Sequence, residues 1–390
     1  MPVILNLISY GVPLLIATAL YAAGQAKTLV DFTVLLSLGS LASYTSTLRF
    51  DAALLTTQVP ARRRRLVELS ILCAVVSVPI MGWLAHLLFS STANISEFIF
   101  FFAVCSLNLL VRSSLNSNAK PISLSIYNLK ANTFIPTSCL LITIDPFAHA
   151  GIAILLIFAL WQIVRVYRCE WTGPTGARTT PRKLVLTAVR FRKFPIFAYP
   201  AIILSSIVAQ FVTLVSPAIY SGSVSQLASF LFAWRVAALP ITVLGPTYSH
   251  KFVAEISDKK NISRSYARNM TLGAGLALLV LFAALFSSVA LYWLGADADV
   301  PMLLYVVAFS AINLLRLPAT IVSPVIYVFE RQELGIVCHL ITILCLSLLS
   351  ALAVRTDLSL ELYAISIVIA FLFSYSFHLV IWTRLVTRST

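Results

Sequence analysis

Leu41-Ala42-Ser43-Tyr44, followed after four residues by Arg49, is restated as Leu227-Ala228-Ser229-Phe230, followed after four residues by Arg235, at a constant offset of 186. At nearly the same offset Tyr10-Gly11-Val12-Pro13 faces Phe197-Ala198-Tyr199-Pro200. Further on, Asn108-Leu109-Leu110 with Arg112 is echoed by Asn313-Leu314-Leu315-Arg316, at an offset of 205. Leu, Ala and Ser are frequent here, so one match alone is weak. Three in the same order, two of them carrying an arginine, point to a duplicated chain.

The repeated unit is hydrophobic. Of 390 residues 59% are hydrophobic and 11% charged, whereas water-soluble domains carry about a quarter charged residues. A membrane-spanning helix needs roughly 20 apolar residues, and such runs recur from Val3 to the C-terminus. Twelve spans are predicted: 3–22, 30–55, 67–89, 97–115, 122–144, 148–167, 196–217, 223–249, 269–294, 301–328, 334–353 and 361–383. The repeats then pair spans 1, 2 and 4 with spans 7, 8 and 10. Six spans per half make both halves enter from the same side, so the repeats are parallel. The expected fold is an all-α integral membrane protein with lobes at 1–167 and 196–390, joined by a linker over 168–195. The first span carries no basic lead and no small-residue cleavage site, which reads as a retained helix.

The +14 net charge is informative through its distribution. On the side of the termini, Arg62 to Arg65, Arg112, Lys120, Arg165 to Lys193, Lys251 to Arg268, Arg331, Arg384 and Arg388 supply 22 cations. The opposite side has 2, Lys27 and Arg355. That asymmetry places both termini in the cytoplasm. Within the linker, Gly173-Pro174-Thr175-Gly176 reads as a turn, and Arg182 to Lys193 mixes apolar and basic residues as a cytoplasmic interfacial helix on anionic lipid does.

Four cations, Arg49, Lys130, Arg235 and Arg316, fall inside spans, with Asp51 as the one accompanying acid. Each costs roughly 2.5 to 3.5 kcal/mol at the centre of an inserting helix, so they should face water or protein. Structural roles compete with functional ones. Arg49 can snorkel or pair with Asp51, and Lys130 can snorkel. Arg235 and Arg316 can bind carbonyls freed by Pro240 and Pro318.

No recognisable nucleotide, metal or nucleophile motif is present. The six cysteines are scattered and read as small hydrophobes. The five histidines, His86, His149, His250, His339 and His378, lie near span ends or singly within spans and read as structural. Loops are short, so the expectation is no enzyme, no catalytic residue, no metal, no cofactor and no nucleic-acid partner. Cations inside a duplicated bundle fit movement of something anionic.

Ser40-Leu41-Ala42-Ser43, Thr47-Leu48-Arg49-Phe50-Asp51 with Ala53, Arg192-Lys193-Phe194-Pro195, and Ala233-Trp234-Arg235 with Leu239-Pro240 carry a resemblance. They resemble the Wzx-type polysaccharide and O-antigen flippases of the multidrug/oligosaccharidyl-lipid/polysaccharide exporter superfamily, best over about residues 35–70 and 190–256. The resemblance implies a V-shaped pair of lobes in the bacterial inner membrane. Such a protein carries undecaprenyl-pyrophosphate-linked oligosaccharide from the cytoplasmic to the periplasmic leaflet, among membrane lipids and alongside polysaccharide polymerase or assembly partners. Arg49 and Arg235 match its motifs and become the expected pyrophosphate ligands. Lys130 and Arg316 extend the positive field, Asp51, Asn108 and Asn313 support it, and Pro13, Pro200, Pro240 and Pro318 are hinge candidates. A drug or small-molecule exporter of the same fold is the first alternative, which the charge sign disfavours. A membrane polysaccharide polymerase or ligase is the second, disfavoured by the short outer loops.

Overall fold

A computed structural model describes residues 2–48, 50–54, 59–89, 95–117, 121–144, 147–170, 180–192, 194–256, 262–293, 300–329 and 331–389. In chain order the helices are α1 (Pro2–Ala22), α2 (Ala26–Ser46), α3 (Phe50–Ala53), α4 (Pro60–Phe89), α5 (Ile95–Ser117), α6 (Pro121–Thr143), α7 (Ala148–Glu170) and α8 (Pro181–Arg190). After a π-helical turn at Phe194–Ala198 come α9 (Tyr199–Ile219), α10 (Val224–Ile256), α11 (Ile262–Trp293), α12 (Val300–Val322), α13 (Val325–Val328), α14 (Gln332–Arg355) and α15 (Leu360–Ser389). Arg49, Lys193 and the turn Gly173-Pro174-Thr175-Gly176 lie outside the described residues.

Spans 30–55 and 301–328 run too far: α2 ends at Ser46 and α12 at Val322, each followed by a turn and a separate short helix, α3 and α13. Every expected span still corresponds to a helix of at least 21 residues. The physical reason is that hydrocarbon offers backbone groups no partner, so each must be satisfied within its own helix. Among the described residues, ten of these helices are long and apolar enough to cross a membrane. The other two are α1, whose qualifying apolar stretch is the shorter Gly11–Ala22, and α6, whose hydropathy is lowered by Asn128, Lys130 and Asn132. Hydroxyls in the spans are satisfied locally, as where Ser106 Oγ donates to the Phe102 carbonyl at 2.7 Å and Ser70 Oγ to that of Leu66 at 2.9 Å.

The chain divides into two compact units, residues 1–16 with 31–210 and residues 17–30 with 211–390. This division by packing runs through α1, α2 and α9, whereas the sequence repeat has its join at 168–195. In the first unit α5 packs against α4, α6 and α7, and α6 against α7. In the second, α12 packs against α10, α11 and α15, and α14 against α15. Third helix on fourth, fourth on sixth and fifth on sixth therefore recur in both halves, which is the architectural form of the duplication. Burial agrees with that role. The α5 span is 56% buried and the α12 span 50%, against 11% for α11, which faces outward.

Glycine sets the closest approach of α11 to α12. A Cβ added at Gly273 would lie 2.7 Å from Pro318 Cα, while one at Gly275 meets nothing within 4 Å. Gly273→Leu is therefore expected to cost about 1 to 3 kcal/mol by overpacking and to lower the unfolding midpoint in detergent. Gly275→Leu should melt like the parent protein.

Helix α8 covers the segment expected to lie at the interface. It packs against α4 and buries Thr187, while Val185, Leu186 and Val189 are exposed beside Arg182, Lys183 and Arg190. Of the hinge candidates, Pro13 falls within α1, Pro240 within α10 and Pro318 within α12, whereas Pro200 is the second residue of α9, next to the π turn.

Candidate functional site

The most distinctive sequence stretches are brought together in the first unit. α2 ends at Ser46, and Leu48 adopts a left-handed φ of 47°, a conformation costing an ordinary residue roughly 1 to 2 kcal/mol. The chain then turns into α3. Asp51 is 1% exposed and accepts hydrogen bonds from Thr47 Oγ1 at 2.6 Å and from Ser113 Oγ on α5 at 3.0 Å. α3 also packs on the π turn at Phe194–Ala198, so the short helix carrying Asp51 and that turn form one neighbourhood. π turns recur at functional positions because they break the regular helical register.

A polar network occupies the interior of α5, α6 and α7. Arg112 Nη2 donates to Asn132 Oδ1 at 2.9 Å, and Asn132 Nδ2 donates to Ser9 Oγ on α1 at 2.7 Å. One turn away the Tyr127 hydroxyl donates to Asn108 Oδ1 at 2.8 Å and accepts from Gln162 Nε2 at 2.9 Å. Tyr127 and Gln162 are almost wholly buried. The charge count places Arg112 in a cytoplasmic connection although the expected span 97–115 already contains it, and the structure agrees with the span: Arg112 lies within the spanning part of α5. The repeat carried a partial signal, since Arg112 follows Asn108 by four residues where Arg316 follows Asn313 by three, one position out of register.

Lys130 is exposed on α6, and its Nζ lies 4.9 Å from the centroid of Trp161 on α7. Arg165, counted with a connection although the expected span 148–167 contains it, lies within a span and stands 5.3 Å from the same centroid. The indole is backed by Tyr127, nearly parallel at 5.5 Å. Two charges each about 5 Å from one point are at most about 10 Å apart, so they repel by at least roughly 1.7 kcal/mol at an effective dielectric of about 20. Each cation–π contact returns about 0.5 to 2 kcal/mol, so the ring can hold the pair together. Trp161 and Arg165 were not singled out from sequence, because nothing local shows that α6 and α7 superpose them.

In the second unit Asn313 Nδ2 donates to the Ala237 carbonyl on α10 at 2.9 Å. This bond places Arg235, two residues before Ala237, and Arg316, three residues past Asn313, along the same helix pair. Arg316 stands over the Phe371 ring at 5.6 Å. Trp234 packs edge-on against Phe309 at 5.2 Å and against Phe371 at 5.6 Å, which fixes the rotation of α10 and the direction in which Arg235 leaves it. No carboxylate is within ion-pairing distance of Arg316, Lys130, Arg165 or Arg112 among the described residues.

The histidines depart from the single, dispersed positions expected of them. His339 on α14 and His378 on α15 meet edge to face at 5.6 Å, and His378 Nε2 lies 3.4 Å from Thr342 Oγ1, which also bonds Ser374.

The sequence matches no protein-family model and no curated protein. Among solved structures the chain is similar to a MOP superfamily transporter from Pyrococcus furiosus, described as having a binding pocket of reverse polarity that suggests a different function. The two share 13% identity at a TM-score of 0.53, over 98% of this chain and 94% of that one. A likeness that long at so low an identity establishes the fold: this chain is an all-helical, multi-pass membrane protein built on the architecture of that transporter.

Proposed function

We propose that the protein is a flippase for a lipid-linked oligosaccharide whose lipid and glycan are joined by a diphosphate, of the undecaprenyl-pyrophosphate type. Its direction is from the cytoplasmic to the periplasmic leaflet of a bacterial inner membrane, with both termini cytoplasmic. The observation that carries the reading is Arg316, a permanent charge within a spanning helix, held by an aromatic ring rather than a carboxylate. A bare diphosphate cannot enter hydrocarbon, and guanidinium groups can replace its lost hydration with paired hydrogen bonds.

In this reading Arg49 and Arg235, one from each half, are the head-group ligands, and Arg316 and Lys130 extend the positive field. Asp51, Asn108 and Asn313 hold the helices that present them. Pro13, Pro200, Pro240 and Pro318 supply the bends for alternating exposure to the two sides. Two negative charges leaving the negative inside for the outer leaflet across a potential of about 100 mV gain roughly 4 to 5 kcal/mol, enough to set direction without ATP.

The test is reconstitution in liposomes with a fluorescent lipid-linked oligosaccharide bearing a diphosphate, read as protection from a quencher added outside. Time-dependent protection is expected, faster with a potential that drives anions in the flipping direction. Equal rates in protein-free liposomes would reject the reading.

A further inference from the structure

We propose that Lys130 and Arg165, gathered over the Trp161 ring, form a phosphate-binding subsite contained within the first unit. It goes beyond the translocation reading, because it concerns binding alone and uses no residue of the second unit. α6 carries no acidic residue, and the one acid on α7 is Glu170, five residues beyond Arg165. The two cations therefore share an aromatic partner and lack a counter-charge among the described residues. Their mutual repulsion is relieved by an anion lying between them, and a phosphate group presents enough oxygens to engage an ammonium and a guanidinium at once.

Position favours a phosphate borne on lipid. α5 ends where α6 begins, and α7 runs back beside α6, so Arg165 lies at the same end of the bundle as the start of α6. Arg165 is five residues from the end of α7, about 7.5 Å at the helical rise. Around the cations the helix surface is apolar and exposed: Phe134 is 39% exposed, Ile157 66%, Leu160 57% and Val164 47%. Lys130 lies nine residues into α6, about 13.5 Å from that same end, so its ammonium and the Arg165 guanidinium, amid exposed apolar side chains, meet a headgroup by extending along their stems toward that end. A free diphosphate shares the same chemistry, and the experiment separates the two sources.

The full chain is placed in phosphatidylcholine nanodiscs and its tryptophan emission is followed in three titrations. These use phosphatidic acid in the bilayer, sodium pyrophosphate in solution, and oleate in the bilayer as an anion without phosphate. A saturable change with phosphatidic acid is expected, absent from Trp161→Phe and shifted at least fivefold to higher concentration in Lys130→Gln/Arg165→Gln. A change with pyrophosphate alone keeps the subsite and assigns it to a soluble ligand. No change with either, an equal change with oleate, or a change unaltered in Lys130→Gln/Arg165→Gln overturns it. Circular dichroism establishes that the variants are folded. If the double variant does not fold, the exposed Lys130→Gln alone is expected to shift the curve about threefold, and no shift there overturns the subsite equally.

Discussion

Arg235→Ala protein, folded and membrane-inserted, is expected to leave lipid-linked glycan on the cytoplasmic leaflet. The side chain leaves α10 beside Trp234, whose packing against Phe309 and Phe371 survives the substitution, so the helix keeps its rotation and only the guanidinium is lost. A hydrogen bond to a charged group contributes roughly 1.5 to 3 kcal/mol. Losing that from the proposed phosphate contact corresponds to a tenfold to hundredfold slower translocation in the liposome measurement. Arg235→Lys retains the charge without the planar fork and should fall between the two. Arg62→Ala, altered at the start of α4, should flip at the parent rate once its orientation is checked. Unchanged flipping by the Arg235→Ala protein would remove this residue from the proposed site.

The second large effect is on stability. Asp51 is 1% exposed and accepts from Thr47 on one side and Ser113 on the other, tying the end of α2 and the short α3 to α5. Asp51→Ala leaves both hydroxyls without this acceptor, one of them on Thr47, itself 1% exposed. A buried polar group left unpaired costs roughly 1 to 3 kcal/mol, so a total loss of about 3 kcal/mol is expected, read as a lower thermal midpoint in detergent. Asp51→Asn keeps an acceptor and should lose less than half as much. A parental midpoint for Asp51→Ala would mean that the junction carries no stability.

How far residues could be read in advance depended on the range of the interaction that places them. The twelve helices were legible because the demand on each is local: a backbone in hydrocarbon must be helical whatever lies beside it. The repeat was legible too, and the matched packing of α5 and α12 follows its register. Arg112 shows the limit. The repeat sets it one position out of register with Arg316, and its nearness to the end of an apolar run suggests a connection. Its bond to Asn132, and that residue's bond to Ser9, come from helices far apart in sequence. Lys130 was marked as an intramembrane cation from its neighbours alone, but Trp161 and Arg165 became its companions only when α7 folded back on α6. His339 and His378 likewise read as solitary until α14 and α15 paired.

Hydrophobic run length, charge asymmetry and the restated Leu-Ala-Ser motif thus determined by themselves that this is a duplicated, all-helical membrane protein with cations inside its spans. Each is a property of consecutive residues and of the bilayer as solvent. Only the tertiary structure decided which side chains those cations meet: Asn132 for Arg112, Trp161 for Lys130 and Arg165, Phe371 for Arg316. The rotation and register of one helix against another come from close-packed contacts such as Pro318 against Gly273 and Trp234 against Phe309. No single segment encodes such a contact, because its energy exists only when both surfaces are present.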